Sequence, residues 1–466
     1  MTRPRRPIDI AKNGSVPIRC FTGEALLPDG TAREQLDKLA SIPGLDRHVS
    51  VLPDVHAKAR NPTPTGTVAV SKNTLVPRAI EYPGHMCGMR TVSCPLRADE
   101  LTPEILDDLF GRLSQSIPVK YHDEPLLSDE DLEDVLLHGQ SKLVEIMDLP
   151  NDEITRCENG GRMIPELEPD AIRDGITADG LRKAIKKGRL SVGTLGAGNH
   201  FVELQEIEEV LDDEIAARLG IKKGHTVFMM HTDSQRLGKK ILQPLVEKGA
   251  EEYGDEASGD LWSVPVDSEF GQRYLGALAA ASHAGFANRA IITDILRKTM
   301  REVFDDESLQ LSLVYDTGHE TIQREKFDDE WVWVHRHGAS RALPAEELGD
   351  DPVLREIGQP VCIPGSMGTC SYLGVTRPGV QSTFHSVAHG AGRVMEKADA
   401  KKAYDASQVE EELEQQGIRL YRIGEDNIGG QAPAAFKNPH HVLEAMMDHD
   451  LVQPVARLKP IAVLKG

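Results

Sequence analysis

Ser386–Ala400 reads SVAHGAGRVMEKADA. His389 is the strongly reactive side chain of this glycine turn, with Gly390, Gly392 and Arg393 just after it. Glycines let a backbone approach a phosphate closely, and an arginine fork can hold one. Histidine can also act as a covalent nucleophile. Taken alone, HGAGR could be no more than a tight turn before a helix. Its weight comes from four other histidines in comparable places. His200 stands at the mouth of an apolar run in GTLGAGNHFVEL, and His231 at the end of one in TVFMMHTDSQRLG. His319 follows LSLVYDTG, and His335 ends WVWV. Each run reads as a buried strand, and each histidine lies where a strand gives way to a loop. One such histidine is more often a satisfied core residue. The set points to convergence on one metal or phosphate site.

Two further segments join the set. YPGHMCGMRTVSC carries Cys87 just before an apolar run, with His85 two residues upstream. Thiolate and imidazole together are strong, soft ligands for a first-row divalent metal, although a buried structural cysteine is also common. VLPDVHAKARNPTPTGTVAV puts Asp54 and His56 at the end of a short apolar run. A carboxylate there can orient a histidine elsewhere, or can serve as an Asx-turn residue.

The ordered set of segments resembles the RtcB family of RNA ligases. The matching pieces run LPDVH, CGMR, GTLGAGNHFVE, HTDSQRLG, YLGALAAASHAGFANR, VYDTGHE, HRHGASRA, GQPVCIPGSMGTCSY, HGAGRVMEKADA, QAPAAFKN and ARLKPIAVLKG. They cover nearly all of residues 45–466. The resemblance implies a GTP- and manganese-dependent enzyme. Such an enzyme seals an RNA 3′-phosphate or 2′,3′-cyclic phosphate to a 5′-hydroxyl through a guanylylated histidine, in RNA repair or tRNA splicing. It implies His389 as the nucleophile and Asp54 as the group holding its ring. Cys87, His231 and His319 would bind one metal, and Cys87 and His200 would share a second. Asn199 and Glu203 would contact the nucleotide, and Ser366, Ser371 and Lys465 the guanine. Gly390, Gly392, Arg393 and Phe436 would complete the nucleotide site.

The chain departs from the family pattern at named positions. Gly84 stands where DxNCGxR has an aspartate, so one ligand of the second metal is missing; His85 or a water is a candidate substitute, and otherwise the second site is weak. Gln235 replaces an arginine that would meet RNA phosphate. Glu320 replaces an asparagine, His337 a lysine, and Phe436 a tyrosine. Three readings follow: an RNA ligase, a ligation-deficient metal- and GTP-binding paralogue acting as an RNA-end binder or regulator, and a phosphate-ester metallohydrolase.

Length would allow about three domains. The spread of the motifs favours one catalytic domain over residues 1–466, with a less typical helical insertion at about 96–190. The expected class is α+β, with mixed, largely antiparallel sheets surrounded by helices. Thr102-Pro103-Glu104 opens a helix, ADGLRKAIKKG ends one at Gly188, and Gly271 to Phe304 reads as one long alanine-rich helix holding Asn288 and Arg289. RLKPIAVLKG reads as a closing strand that brings Lys465 to the pocket. Six scattered cysteines suggest thiols in a reducing cytoplasm. No apolar run reaches the ~18 residues of a membrane span, and the basic start MTRPRRPIDIAKNG lacks the apolar core of a signal peptide. A net charge of −21 argues against broad nucleic-acid affinity. The acid of 99–153 and 404–415 reads as solvated helix faces. Arg90, Arg289, Arg336, Arg341 and Arg393 read as a basic pocket for a small RNA end or a nucleotide. No protein partner is legible.

Overall fold

The computed structural model describes residues 4–10, 16–59, 61–80, 82, 84–254, 260–349, 351–424 and 428–466; parts of the basic N-terminal stretch lie outside them. The fold is α+β with two principal sheets, mixed and largely antiparallel, as the sequence implies. The first sheet runs in the order Ile8–Ile10, Ile18–Cys20, Leu45–His56, Thr65–Ser71, Glu330–His337 and Glu320–Phe327. Its one parallel pair joins Ile18–Cys20 to Leu45–His56.

The second sheet positions the site. Its order is Ser312–Gly318, Gly88–Arg97, His225–Thr232, Phe201–Val210, Val452–Lys465, Ser371–Thr376 and Pro360–Ile363. Register aligns one end of five of these strands. Gly318 is opposite Gly88, Gly88 opposite Thr232, His231 opposite Phe201, and Phe201 opposite Lys465. Successive residues in a strand alternate faces, so this register places the flanking residues in fixed relation. Cys87, His200 and His319 lie just outside these strand ends, and His231 lies next to one.

One helix, Glu269–Phe304, backs this arrangement. The Ser268 hydroxyl accepts from Gly271 N at 3.0 Å and caps it. Its middle, Leu275–Thr293, is buried all round, as expected of a core helix. Close approach has a specific use at Gly285 and Gly318. A Cβ on either would collide with Met86, at 2.6 and 2.7 Å. Met86 is held at φ 57°, and its side chain fills the space these two glycines leave. The turn that carries Cys87 is therefore wedged against the helix.

Asn288 and Arg289 do not face the site; they brace it from behind. Arg289 donates from Nε to Asp316 at 2.8 Å, and from Nη1 to Met86 O and Thr232 O at 3.0 and 3.2 Å. Asn288 donates to Thr194 O and Asp233 O at 3.0 and 3.1 Å.

Residues 96–190 form helices that include Pro103–Ser116, Asp129–His138, Gln140–Met147, Pro169–Ile176 and Ala178–Gly188. Thr102 caps the first of these and Pro103 opens it. Several pack on the long helix. This segment is not only a solvated acidic face. Glu153 is fully buried between Arg90 and Arg297, and Arg90 also donates to Asp316 at 2.7 Å. Glu158 accepts from Gly318 N and the Thr317 hydroxyl, both at 2.8 Å, immediately before His319.

Removing one partner of a buried, hydrogen-bonded ion network leaves an uncompensated charge. Glu153→Ala is expected to cost roughly 3–5 kcal/mol in denaturant unfolding. Glu130→Ala on the exposed face of Asp129–His138 is expected to stay within about 0.5 kcal/mol of the parent.

Candidate functional site

Asp54 lies near the end of Leu45–His56 with its carboxylate fully buried. His389 directly follows the short strand Ser386–Ala388. The two meet. His389 Nδ1 is 2.7 Å from Asp54 Oδ2 and 2.8 Å from Gly338 O, and His389 N donates to Asp54 Oδ2 at 3.1 Å. Both neighbours of Nδ1 are acceptors, so Nδ1 carries the proton and Nε2 presents its lone pair. Gly392, at φ 72°, passes so close to Asp54 that a Cβ would lie 2.2 Å from Asp54 O. Glycine is therefore required there by both space and backbone conformation. Behind the aspartate, the Lys437 ammonium donates to Pro53 O and Val55 O. Burial lowers the Lys437 pKa to about 8, with Asp54 opposing that shift.

The His389 ring stands 4.5 Å from that of His319 and 6.5 Å from that of His231. His231 Nε2 is 3.2 Å from His319 Nε2 and 3.1 Å from Cys87 Sγ, and Cys87 Sγ is 3.4 Å from His200 Nε2. Ligand atoms of Cys87, His200 and His231 all lie within 4.8 Å of one another. Neighbouring donors on one tetrahedral ion with bonds of ~2.0–2.3 Å are roughly 3.3–3.8 Å apart. The observed 3.1–3.4 Å separations lie at or just below this spacing, and the thiol and imidazole donors are the kinds that ligate, so the set fits a metal with small adjustment. Burial, then the neighbouring imidazoles His200 and His389, holds the His231 pKa well below its ordinary value. Burial, then His389 and His231, does the same for His319. Neutral imidazoles are the form that ligates.

These groups line a cavity of about 960 Å³. Its walls include Asn199, Glu203, Ser366, Gly390, Gly392, Arg393, Phe436 and Lys465, all named from the sequence. Glu203 is buried and accepts from Gln205 Nε2, which also donates to the Ser371 hydroxyl at 2.9 Å. Ser371 is one layer behind the wall, where its hydroxyl accepts from Gly365 N at 3.1 Å. Lys465 Nζ lies 5.5 Å from the centre of the Phe201 ring. Arg393 lies over Phe436 at 4.4 Å and donates to Gly430 O at 2.7 Å, tying the two wall segments together.

Three expectations are corrected by the geometry. His335 is a satisfied core histidine; its Nε2 accepts from Val76 N at 3.0 Å and its Nδ1 is 3.3 Å from Ala69 O. His85 turns away from Cys87 toward the Ser282 hydroxyl, 2.9 Å away, so it does not stand in for a ligand at position 84. The basic pocket is not built from the predicted arginines. Arg90, Arg289 and Arg336 are buried against Glu153, Asp316 and Glu325. Arg341 pairs with Glu325, and only Arg393 of the five lines the cavity.

The cations at the cavity wall are instead Lys58, Lys397, Lys401, Lys465 and Arg393. Lys397 and Lys401 lie one helical turn apart on Lys397–Ala403, directly after the HGAGR turn. That spacing was a usable signal in the sequence. Asp233, two residues after His231, also lines the cavity and was not singled out.

The family comparison agrees with this geometry. Residues 35–466 match the family described as tRNA-splicing ligase RtcB. The chain belongs to the RtcB family. A relative from Thermococcus kodakarensis, named tRNA-splicing ligase RtcB, is 33% identical over 98% of this chain and 96% of its own length. One of the same name from Archaeoglobus fulgidus is 32% identical over 93% of this chain and 91% of its own length. Another, from Pyrococcus abyssi, is 34% identical over 82% of this chain, which spans 42% of that longer protein.

The departures from the RtcB pattern occupy definite places. Gly84 lines the cavity without a side chain. Gln235 folds inward and donates to the Thr232 hydroxyl at 2.8 Å and to Leu195 O at 3.2 Å. Arg236 lies over Tyr121 instead. Glu320 accepts from Gly338 N at 2.8 Å. It thereby steadies the residue whose carbonyl orients His389. His337 is buried, with Nδ1 2.9 Å from the Thr63 hydroxyl.

Burial raises the Glu203 pKa from 4.5 to about 8, with the Gln205 hydrogen bond and Lys465 opposing it. A raised folded-state pKa means that the native state binds more protons than the unfolded chain between these values. The stability contribution is complete below the unfolded pKa and is lost as pH rises toward the folded one. Glu203→Gln is therefore expected to flatten the fall in melting temperature between about pH 5 and pH 8, read by thermal unfolding of parent and variant.

Proposed function

We propose that this chain is a GTP-dependent RNA ligase that joins RNA 3′-phosphate or 2′,3′-cyclic phosphate ends to 5′-hydroxyl ends. The observation that carries the reading is His389, whose Nδ1 is held by Asp54 and Gly338 O while its ring stands 4.5 Å from that of His319 and 6.5 Å from that of His231. An imidazole is a modest nucleophile, and a fixed tautomer is what it needs. Nε2 attacks the α-phosphorus of GTP and pyrophosphate leaves. Water first opens a 2′,3′-cyclic phosphate to a 3′-phosphate, breaking the P–O2′ bond; the guanylyl group then passes from His389 to the RNA 3′-phosphate, and the 5′-hydroxyl attacks that phosphate and displaces GMP. Transfers of this kind depend on positioning and charge stabilisation.

Cys87, His200, His231 and His319 would hold manganese, which when bound supplies positive charge to the phosphates and aligns attacking and leaving oxygens. Thiolate–imidazole sites hold zinc more tightly than manganese, so manganese rests on the family resemblance. Asn199, Glu203, Ser366, Phe436 and Lys465 would bind the nucleotide, with Ser371 supporting Glu203 through Gln205. Lys58, Lys397 and Lys401 would meet the phosphates. A reducing cytoplasm suits the thiolate ligand and the six free cysteines. Among the described residues no helix is long and apolar enough to cross a membrane.

A second reading has its own observation. Gln235 is neutral and turned inward where the family has an arginine for RNA phosphate. This favours a paralogue that binds metal and GTP but does not ligate. The test is transfer of α-radiolabel from GTP to the protein with manganese, followed by denaturation. Acid-labile, base-stable label is expected on the parent and not on His389→Ala. Asp54→Asn is expected to slow labelling about 10²-fold or more, because the tautomer is no longer fixed. RNA with a cyclic phosphate end then separates the two readings: label without joining supports the paralogue. GTP binding without label removes the nucleophile assignment.

A further inference from the structure

Asp233 stands at the end of the strand His225–Thr232, where its carboxylate serves two directions. Oδ1 accepts from Gln235 N at 2.7 Å, and Oδ2 is 4.0 Å from His200 Nε2. A turn before the helix Gln235–Tyr253 needs only the first contact. It gives no account of the second. Two donors 4.0 Å apart lie just beyond tetrahedral spacing but within the span of two bonds of ~2.0–2.2 Å, so a small inward movement of the carboxylate would let both reach one ion.

The surrounding contacts hold the Asp233 backbone there. Asn288 Nδ2 donates to Asp233 O at 3.1 Å. Ser234 donates to His85 O from its amide at 3.3 Å and from its hydroxyl at 2.8 Å. The Asp233 turn is thus pinned against the Gly84–His85 turn, and it brings a carboxylate to the wall where Gly84 has no side chain.

The donors form a succession: His319, His231, Cys87, His200 and Asp233. Their separations are 3.2, 3.1, 3.4 and 4.0 Å. Five donors exceed what one tetrahedral ion accepts. Two ions would divide the five, one beside His231 and His319 and one beside His200 and Asp233, with Cys87 between them in the succession. Cys87, His200 and His231 are the three whose ligand atoms all lie within 4.8 Å of one another. The thiolate and the carboxylate would offset part of the charge of two divalent ions.

We propose that Asp233 is the terminal carboxylate ligand of a second metal position completed by His200 and Cys87, in place of a side chain at position 84. This rests on the metal-dependent reading above and adds to it the residue that supplies the second ion's carboxylate.

The test is metal content, with manganese as the probe. The full chain is purified without chelator and equilibrated with manganese. Bound metal is counted by mass spectrometry, and coupling between ions is read by electron paramagnetic resonance. The parent is expected to hold about two ions per chain with a spin-coupled signal. Asp233→Asn keeps the Oδ1 turn contact. It is expected to hold about one ion, to bind the second at least about tenfold more weakly, and to show the signal of isolated manganese. Moving the carboxylate in Asp233→Gly with Gly84→Asp is expected to restore the second ion. Circular dichroism of each variant checks that the fold is kept. A parent with one ion, or an Asp233→Asn variant with two ions and unchanged coupling, overturns the proposal and leaves the guanylyl-transfer reading standing. A folded parent that takes up no manganese overturns the metal-dependent reading itself.

Discussion

The Arg289 guanidinium is the constraint on which the site depends. It is buried without exposure, and a charge in that position must be matched by acceptors. Asp316 neutralises it, and Met86 O and Thr232 O take two further contacts. Those carbonyls belong to the turn before Cys87 and the strand end after His231. One side chain on the core helix therefore sets the spacing between the Cys87 and His231 segments, which are far apart in the chain. Asn288 does the same for Thr194 and Asp233, and Met86 wedges the Cys87 turn between Gly285 and Gly318. Glu158 adds the last brace, holding Gly318 N beside His319.

In the proposed reaction, this arrangement would let a weak nucleophile be used. The His389 ring is not free to choose its tautomer, because Asp54 and Gly338 O both accept from Nδ1. Gly338 is itself held by the Glu320 carboxylate. The glutamate at the family's asparagine position is thus part of the orienting chain and not a lost contact. Phe436 keeps its place against Arg393, so the missing hydroxyl leaves the wall intact.

Much of this was legible in the sequence. Apolar runs ending in His200, His231 and His319 are strands whose ends converge, and HGAGR is a glycine turn closing on Asp54. The α+β class, the long helix and the closing strand to Lys465 also followed from pattern. What the sequence did not carry was depth. His335 and His337 lie two apart on one strand and so on one face, yet His335 sits inside the sheet on Val76 and Ala69, well short of the site. The arginines of the motifs read as a phosphate pocket because sequence does not show their buried acids, such as Glu153 from the helical segment. Asp233 escaped notice because an aspartate before a helix has a sufficient local explanation in its turn.

The strand Val452–Lys465 lies in the interior of its sheet, between Phe201–Val210 and Ser371–Thr376. A sheet whose middle is contributed last in the chain order remains two separate halves until that piece arrives. Contacts of such long sequence separation form slowly and leave edges open meanwhile. On the ribosome, the Phe201–Val210 edge therefore waits for more than half of the chain to be made before it is covered. Synthesis of this protein thus carries an interval in which an unpaired, partly apolar strand edge is open to association with other chains.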